Sequence, residues 1–167
     1  DVGVVTTALR NMGGRPSGRT RVETVDGARV TYLWTPLLYR WMGITPTLPL
    51  RLQSLPKPDI VHVFGFRDVV TTVTAAWCRA RRIPYVFEPL DMIVPQFRNI
   101  SVKRAFDRVL GSPVVRGAQL VIANSGRERE QLVAADIDVE RIVIRPNGFP
   151  PTHDDHGTIL RSTLGIG

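Results

Sequence analysis

The chain has 167 residues, a length that suits one domain with the start of a second and argues against a complete two-domain enzyme. With 43% hydrophobic and 22% charged residues it can bury a core, which argues against a wholly disordered chain. The net charge of +7 favours an anionic partner such as phosphate, nucleic acid or an acidic membrane surface. Cys78 is the only cysteine, which excludes an internal disulfide and any multi-cysteine zinc or iron–sulfur site and tilts the expectation toward the cytoplasm. No run approaches the roughly 18 apolar residues that a membrane-spanning helix needs.

Val2 to Thr6 is apolar and β-branched, lacks the basic and apolar segments of a signal peptide, and reads as a strand entered part-way through a longer protein. Ala28 to Trp34 alternates as a strand does, after a turn at Asp26-Gly27, with a polar loop between the two strands. Pro36, Pro46, Pro49, Pro56 and Pro58 limit residues 35 to 58 to short helical pieces and connections.

The run Asp59-Ile60-Val61-His62-Val63-Phe64-Gly65 has the form of a parallel strand buried on both faces. Asp68 can cap the helix after it, in which Val69, Val73, Ala76, Trp77 and Ala80 recur at helical spacing until Arg79, Arg81, Arg82 and Pro84 mark the end. Tyr85-Val86-Phe87-Glu88 is the next strand, and Pro89 to Asn99 a loop. Residues 101 to 117 read as an amphipathic helix interrupted at Gly111-Ser112-Pro113. Gln119 to Ala123 is a further buried strand, and Ser125-Gly126-Arg127-Glu128 a capping box that opens a helix to about Ala135. Arg141 to Arg145 is the last strand, closed by Pro146-Asn147-Gly148, and residues 149 to 167 read as a linker with a short helix. Strand–helix–strand units in this order imply an α/β, Rossmann-like parallel sheet with helices on both faces.

Several motifs have bland explanations. Gly13-Gly14-Arg15-Pro16-Ser17-Gly18-Arg19-Thr20 has P-loop spacing, but it neither follows a strand directly nor opens a helix, and so reads as a surface loop. Asp136-Ile137-Asp138 could hold a divalent ion against a diphosphate, yet it joins a helix to a strand, where solvated acids are ordinary. His153-Asp154-Asp155-His156 reads as linker, because consecutive residues rarely converge on one ion. Ser125 and His62 lack the Gly-x-Ser-x-Gly elbow of a hydrolase, and Cys78, inside a helix beside Trp77, reads as packing.

His62 and Glu88 lie at the carboxyl ends of their strands, where open α/β sheets gather ligand-binding groups. From pattern alone, His62 reads first as a satisfied core histidine and second as a ligand group. Residues 79 to 116 carry eight positive and three negative side chains, which is five of the seven net charges. Lys103, Arg104 and Arg108 there interleave with Val102, Phe106, Val109 and Leu110, as in a helix that lies on an anionic membrane; a core-facing helix with a basic outer face is the simpler reading.

The order of motifs from 58 to 149 resembles the N-terminal domain of family 4 glycosyltransferases, retaining enzymes of the GT-B fold. Pro58 to Gly65 looks like the family's histidine-containing strand, and Arg82 to Pro89 like the strand that brings the acceptor loop to the cleft. Ala118 to Ser125 with Glu130-Gln131-Leu132 resembles the next strand and helix, and Ile142 to Gly148 the crossing into the second domain. Pro89-Leu90-Asp91-Met92 stands where family members often carry Pro-His-Gly-Met, so no histidine can be assigned at Leu90. Nothing corresponds to the family's first strand and its Gly-rich loop, which implies a gap at the centre of the sheet and a poorly stable or inactive isolated chain.

The resemblance implies transfer of a sugar from a nucleotide diphosphate sugar to a carbohydrate or glycolipid acceptor, with retention and without a metal or other cofactor. Residues 1–149 would be a partial acceptor-side domain and 150–167 the lead-in to a donor-binding domain. The expected acceptor-side residues are His62, Gly65, Glu88, Pro89, Asp91, Met92 and Arg98, with Asn147 and Gly148 as an interdomain hinge. Lys103, Arg104 and Arg108 would meet a membrane surface, making the protein cytoplasmic and peripheral to the inner face; no nucleic-acid partner is expected. The alternative is a stand-alone nucleotide- or anionic-surface-binding module without catalytic activity.

Overall fold

The computed structural model describes residues 2–8, 19–39, 42–94, 100–148 and 162. Arg98, residues 13–18 of the glycine-rich loop and His153 to His156 lie outside the described residues, as do the side chains of Val102 and Lys103.

Three strands form the first sheet. Arg21–Val25 (β2) and Ala28–Leu33 (β3) pair antiparallel around Asp26 and Gly27, both in the left-handed region at φ 49° and 79°. A two-residue hairpin turn demands that conformation, and Asp-Gly adopts it at low cost. Gly3–Thr7 (β1) adds in parallel to β3, giving the order β1-β3-β2. The expected polar loop between the first two strands thus contains β2, whose β-branched Val22, Thr24 and Val25 find their ladder partners only through the hairpin.

Leu37–Tyr39 (β4) and Met42–Ile44 (β5) form a second hairpin within the proline-rich stretch, where only helical pieces and connections were expected. Pro36 and Pro46 bracket these strands without interrupting them, so no ladder donor is lost. Leu48–Ser54 (α1) follows, with Pro49 in its first turn, where a missing N–H costs nothing.

The four-stranded parallel sheet has the order β6-β7-β8-β9, from Val61–Phe64, Tyr85–Glu88, Leu120–Ala123 and Ile142–Ile144. Val69–Arg81 (α2) starts at Asp68, whose carboxylate accepts from Thr71 N at 2.7 Å, and stops at Arg82 in the left-handed region at φ 53°. The expected interruption near Pro113 is instead a widened turn. Ile100–Phe106 (α3), a π turn at Asp107–Gly111 and Ser112–Gly117 (α4) run on as one helical stretch. Widening relieves the clash between a proline ring and the carbonyl one turn earlier. Gly126–Ala134 (α5) leads to β9.

The main core lies around this sheet, with Val63, Cys78, Tyr85, Phe87, Val121 and Leu132 buried. A smaller cluster of Leu33, Leu48 and Leu52 packs with Val5, Val70 and Val73, so that α2 touches both sheets. Among the described residues no ladder joins the two sheets: β1 pairs only with β3, and β6 only with β7.

Candidate functional site

Because β6 to β9 are parallel, their carboxyl ends form one edge, and Glu88 closes β7 there with no solvent exposure. Its Oε2 accepts from Arg145 Nη2 at 2.6 Å, and His62 Nε2 stands 2.9 Å from the same oxygen. With the Asn124 amide turned to match its neighbours, its NH2 donates to Glu88 Oε1 at 2.8 Å, to Arg145 O at 3.3 Å and to Asn147 Oδ1 at 3.2 Å. One buried carboxylate therefore draws together groups from the ends of all four strands. The guanidinium and the amide compensate the cost of removing that charge from water.

The other ring nitrogen, Nδ1, lies on a side chain that is 43% exposed. The expectation of a core histidine is thereby corrected: β6 is an edge strand of its sheet, and its His62 face is only partly covered. The rings of His62 and Phe64 meet edge to face, 5.8 Å apart at 82°.

The next loop is held from two sides. Leu90 and Asp91 both adopt left-handed backbone, at φ 56° and 58°, a costly conformation for non-glycine residues. Glu128, fully buried, accepts from Asp91 N at 2.5 Å and from Asn124 N at 2.7 Å. The expected capping box is half correct: Ser125 Oγ accepts from Glu128 N at 3.1 Å, but the Glu128 carboxylate takes Asn124 N, one residue before the cap. That reach lets its other oxygen anchor the loop.

On the opposite side stands Arg67, itself at φ 57°. Its Nε and Nη2 pair with the two oxygens of Asp107 at 2.8 and 2.6 Å, Nη1 donates to Met92 O, and Nη2 reaches Ile93 O at 2.9 Å. Sequence reasoning missed Arg67 and Asp107, which lie 40 residues apart with no local pattern to link them. Gly65, at φ 90°, makes the turn between β6 and α2 and donates its N–H to Glu88 O at 2.9 Å.

The structure therefore brings His62, Gly65, Glu88, Pro89, Asp91 and Met92 to one edge, with Asn147 tied in through Asn124 and Gly148 exposed beyond it. Arg104 and Arg108 are exposed on the helical stretch, beside Val109 at 68% and Leu110 at 42% exposure. Cys78 is buried, and burial pushes its thiol from 9.0 up to about 11, in keeping with packing. Asp138 caps the short turn before β9 by accepting from Glu140 N at 3.1 Å, while Asp136 ends α5 in left-handed backbone, so each acid has a local role. Among the described residues no three His, Cys, Asp or Glu side chains are grouped to hold a metal ion. A depression of about 280 Å³ lined by Arg79, Arg82, Pro84, Gly117 and Gln119 lies at the other, amino-terminal end of the strands. Parallel sheets seldom bind ligands at that end.

A parallel sheet with a polar cluster at its carboxyl edge defines a Rossmann-like domain similar to those of GT-B proteins. Residues 1–148 match the glycosyl transferase 4-like domain, and the chain belongs to that family. The crystal structure of Anabaena HepE in complex with UDP is similar, with a TM-score of 0.52 and 24% identity over 72% of this chain and 33% of that one. UDP-N-acetylglucosamine 2-epimerase from Rickettsia bellii gives a TM-score of 0.44 and 18% identity, covering 72% of this chain and 31% of its own. ABC transporter G family member 37 of Oryza sativa subsp. japonica is 32% identical over 95 residues, 51% of this chain and 6% of that protein. The chain thus spans a third or less of each of these proteins.

Proposed function

We propose that this chain forms the acceptor side of a retaining glycosyltransferase, which moves a sugar from a nucleotide diphosphate donor to an acceptor hydroxyl. The observation that carries the reading is the Glu88 cluster at the carboxyl edge of a glycosyl transferase 4-like domain. In this reading His62 Nδ1 accepts from the acceptor hydroxyl and the remaining Arg145 N–H groups donate to acceptor oxygens. Glu88 fixes both, and the loop from Pro89 to Met92 walls the cleft. Holding the hydroxyl in line with the anomeric carbon lowers the entropic part of the barrier.

Residues 1–149 act as one domain, Asn147 and Gly148 as a hinge, and 150–167 as the lead-in to a donor-binding domain. That domain stabilises the leaving diphosphate with cationic side chains and helix N-termini, without a metal. Among the described residues no helix is long and apolar enough to cross a membrane. Exposed Arg104 and Arg108 beside Val109 and Leu110 support a cytoplasmic protein that touches an anionic membrane surface to reach a glycolipid acceptor.

The test is sugar transfer by the full-length gene product from a panel of nucleotide diphosphate sugars, UDP-sugars first, with the product anomer assigned by NMR. Retention is expected, and Glu88→Gln and Arg145→Ala should each lower kcat/KM at least tenfold. Inversion, or full activity in both variants, would overturn the reading. Salt-sensitive binding to anionic vesicles with no transfer from any donor would favour the stand-alone module.

A further inference from the structure

We propose that Phe64 and the polar groups beside it form a platform for one face of a pyranose ring; this deepens the acceptor-side reading and rests on it. Phe64 ends β6 with 58% of its surface exposed, although Val63 before it and Phe66 after it are each only 3% exposed. Side chains two apart on a strand share a face, so Phe64 stands beside His62, and its register partner Glu88 shares that face too. The aromatic ring thus borders the His62–Glu88–Arg145 cluster.

The chemistry of these groups selects the ligand. Glu88 Oε2 accepts from Arg145 and lies 2.9 Å from His62 Nε2, so the carboxylate is committed, whereas His62 Nδ1 and further Arg145 N–H groups remain on side chains 43% and 51% exposed. An imidazole nitrogen and several N–H donors therefore rim an apolar ring. Glu88 also neutralises Arg145, which removes the net positive charge that a phosphate or carboxylate would require. A pyranose has the matching build: a patch of C–H groups on one face and hydroxyls that both donate and accept around its perimeter. A nucleobase could also stack, but its flat edge offers fewer groups to the rim.

The experiment is saturation-transfer NMR on the full-length gene product with methyl α-glucopyranoside, methyl α-galactopyranoside, methyl α-mannopyranoside and uridine as probes. At least one pyranoside is expected to receive saturation at its ring C–H protons. Phe64→Ala should weaken it about fivefold, the loss of a small stacked apolar area, while Phe64→Trp retains it. Because Phe64 is exposed, the alanine variant should keep the parent Tm, and circular dichroism checks this. Binding that ignores Phe64→Ala, the absence of binding by every pyranoside, or a Phe64-dependent loss confined to uridine would each overturn the platform. Transfer activity separates the two ideas. Phe64-dependent pyranoside binding without transfer sinks the transferase reading and leaves the platform, and transfer with Phe64-independent binding does the reverse.

Discussion

Arg67 grips Asp107 with two parallel hydrogen bonds, Nε to Oδ1 at 2.8 Å and Nη2 to Oδ2 at 2.6 Å, and so joins the turn after β6 to the π turn. The same guanidinium donates to the carbonyls of Met92 and Ile93, so one side chain sets the course of the loop that borders the candidate site. The two side chains are 11% and 24% exposed, which makes the pair sensitive to loss of one partner. Arg67→Ala should destabilise by about 2–4 kcal/mol, and Arg67→Lys by less than that but still measurably, because lysine keeps the charge without the fork. Urea denaturation measures both, and amide exchange at residues 92 to 94 should quicken in each.

Glu128 provides a second prediction. Glu128→Ala leaves Asp91 N–H and Asn124 N–H without an acceptor and should cost about 2–4 kcal/mol. Asp91→Gly works in the opposite direction: it keeps the N–H and removes the penalty of left-handed backbone at φ 58°. It should raise Tm by about 2–4 °C, the response to roughly 1 kcal/mol in a chain of this size.

Gly111 is required for space rather than for conformation, since its φ is −72°. A Cβ there would lie 2.6 Å from Phe66 Cζ, inside the π turn. Gly111→Ala should therefore destabilise by about 1–3 kcal/mol through overpacking. Adding Phe66→Leu should recover part of the loss, and a double-mutant cycle in urea would read that coupling.

Alkaline pH should unfold the protein. Burial raises Cys78 from 9.0 to about 11 and Tyr85 from 10.0 to about 12, each rise being worth about 3 kcal/mol. The native state holds these protons after the unfolded chain has released them. Stability is therefore full below pH 9 and falls as pH climbs through 11 and 12. Urea midpoints at pH 7, 9 and 10.5 should decline in that order, and Cys78→Ala should flatten the first part of the decline. The native thiol should also resist thiol reagents at pH 8 and react only on unfolding.

Local chemistry was enough to read much of the fold. Asp68 marked the start of α2, Asp26-Gly27 a turn before β3, and the apolar run ending in Glu88 the strand β7, because caps, turns and alternation act within a few residues. The hairpin of β4 and β5 was hidden, since strands of three residues are too short to show alternation and lie among prolines. His62 and Glu88 were legible as groups near the carboxyl ends of their strands, but not as neighbours of each other.

By itself the sequence determined the succession of strands and helices from β6 to β9, the carboxyl-edge position of His62 and Glu88, and the family to which they belong. Only the tertiary structure decided that Glu88 meets Arg145 across 57 residues, Arg67 meets Asp107 across 40, and Glu128 reaches Asp91 across 37. The reason is physical: periodicity tells which face an element buries, whereas the meeting of two charges depends on strand order and on the paths of the loops between them.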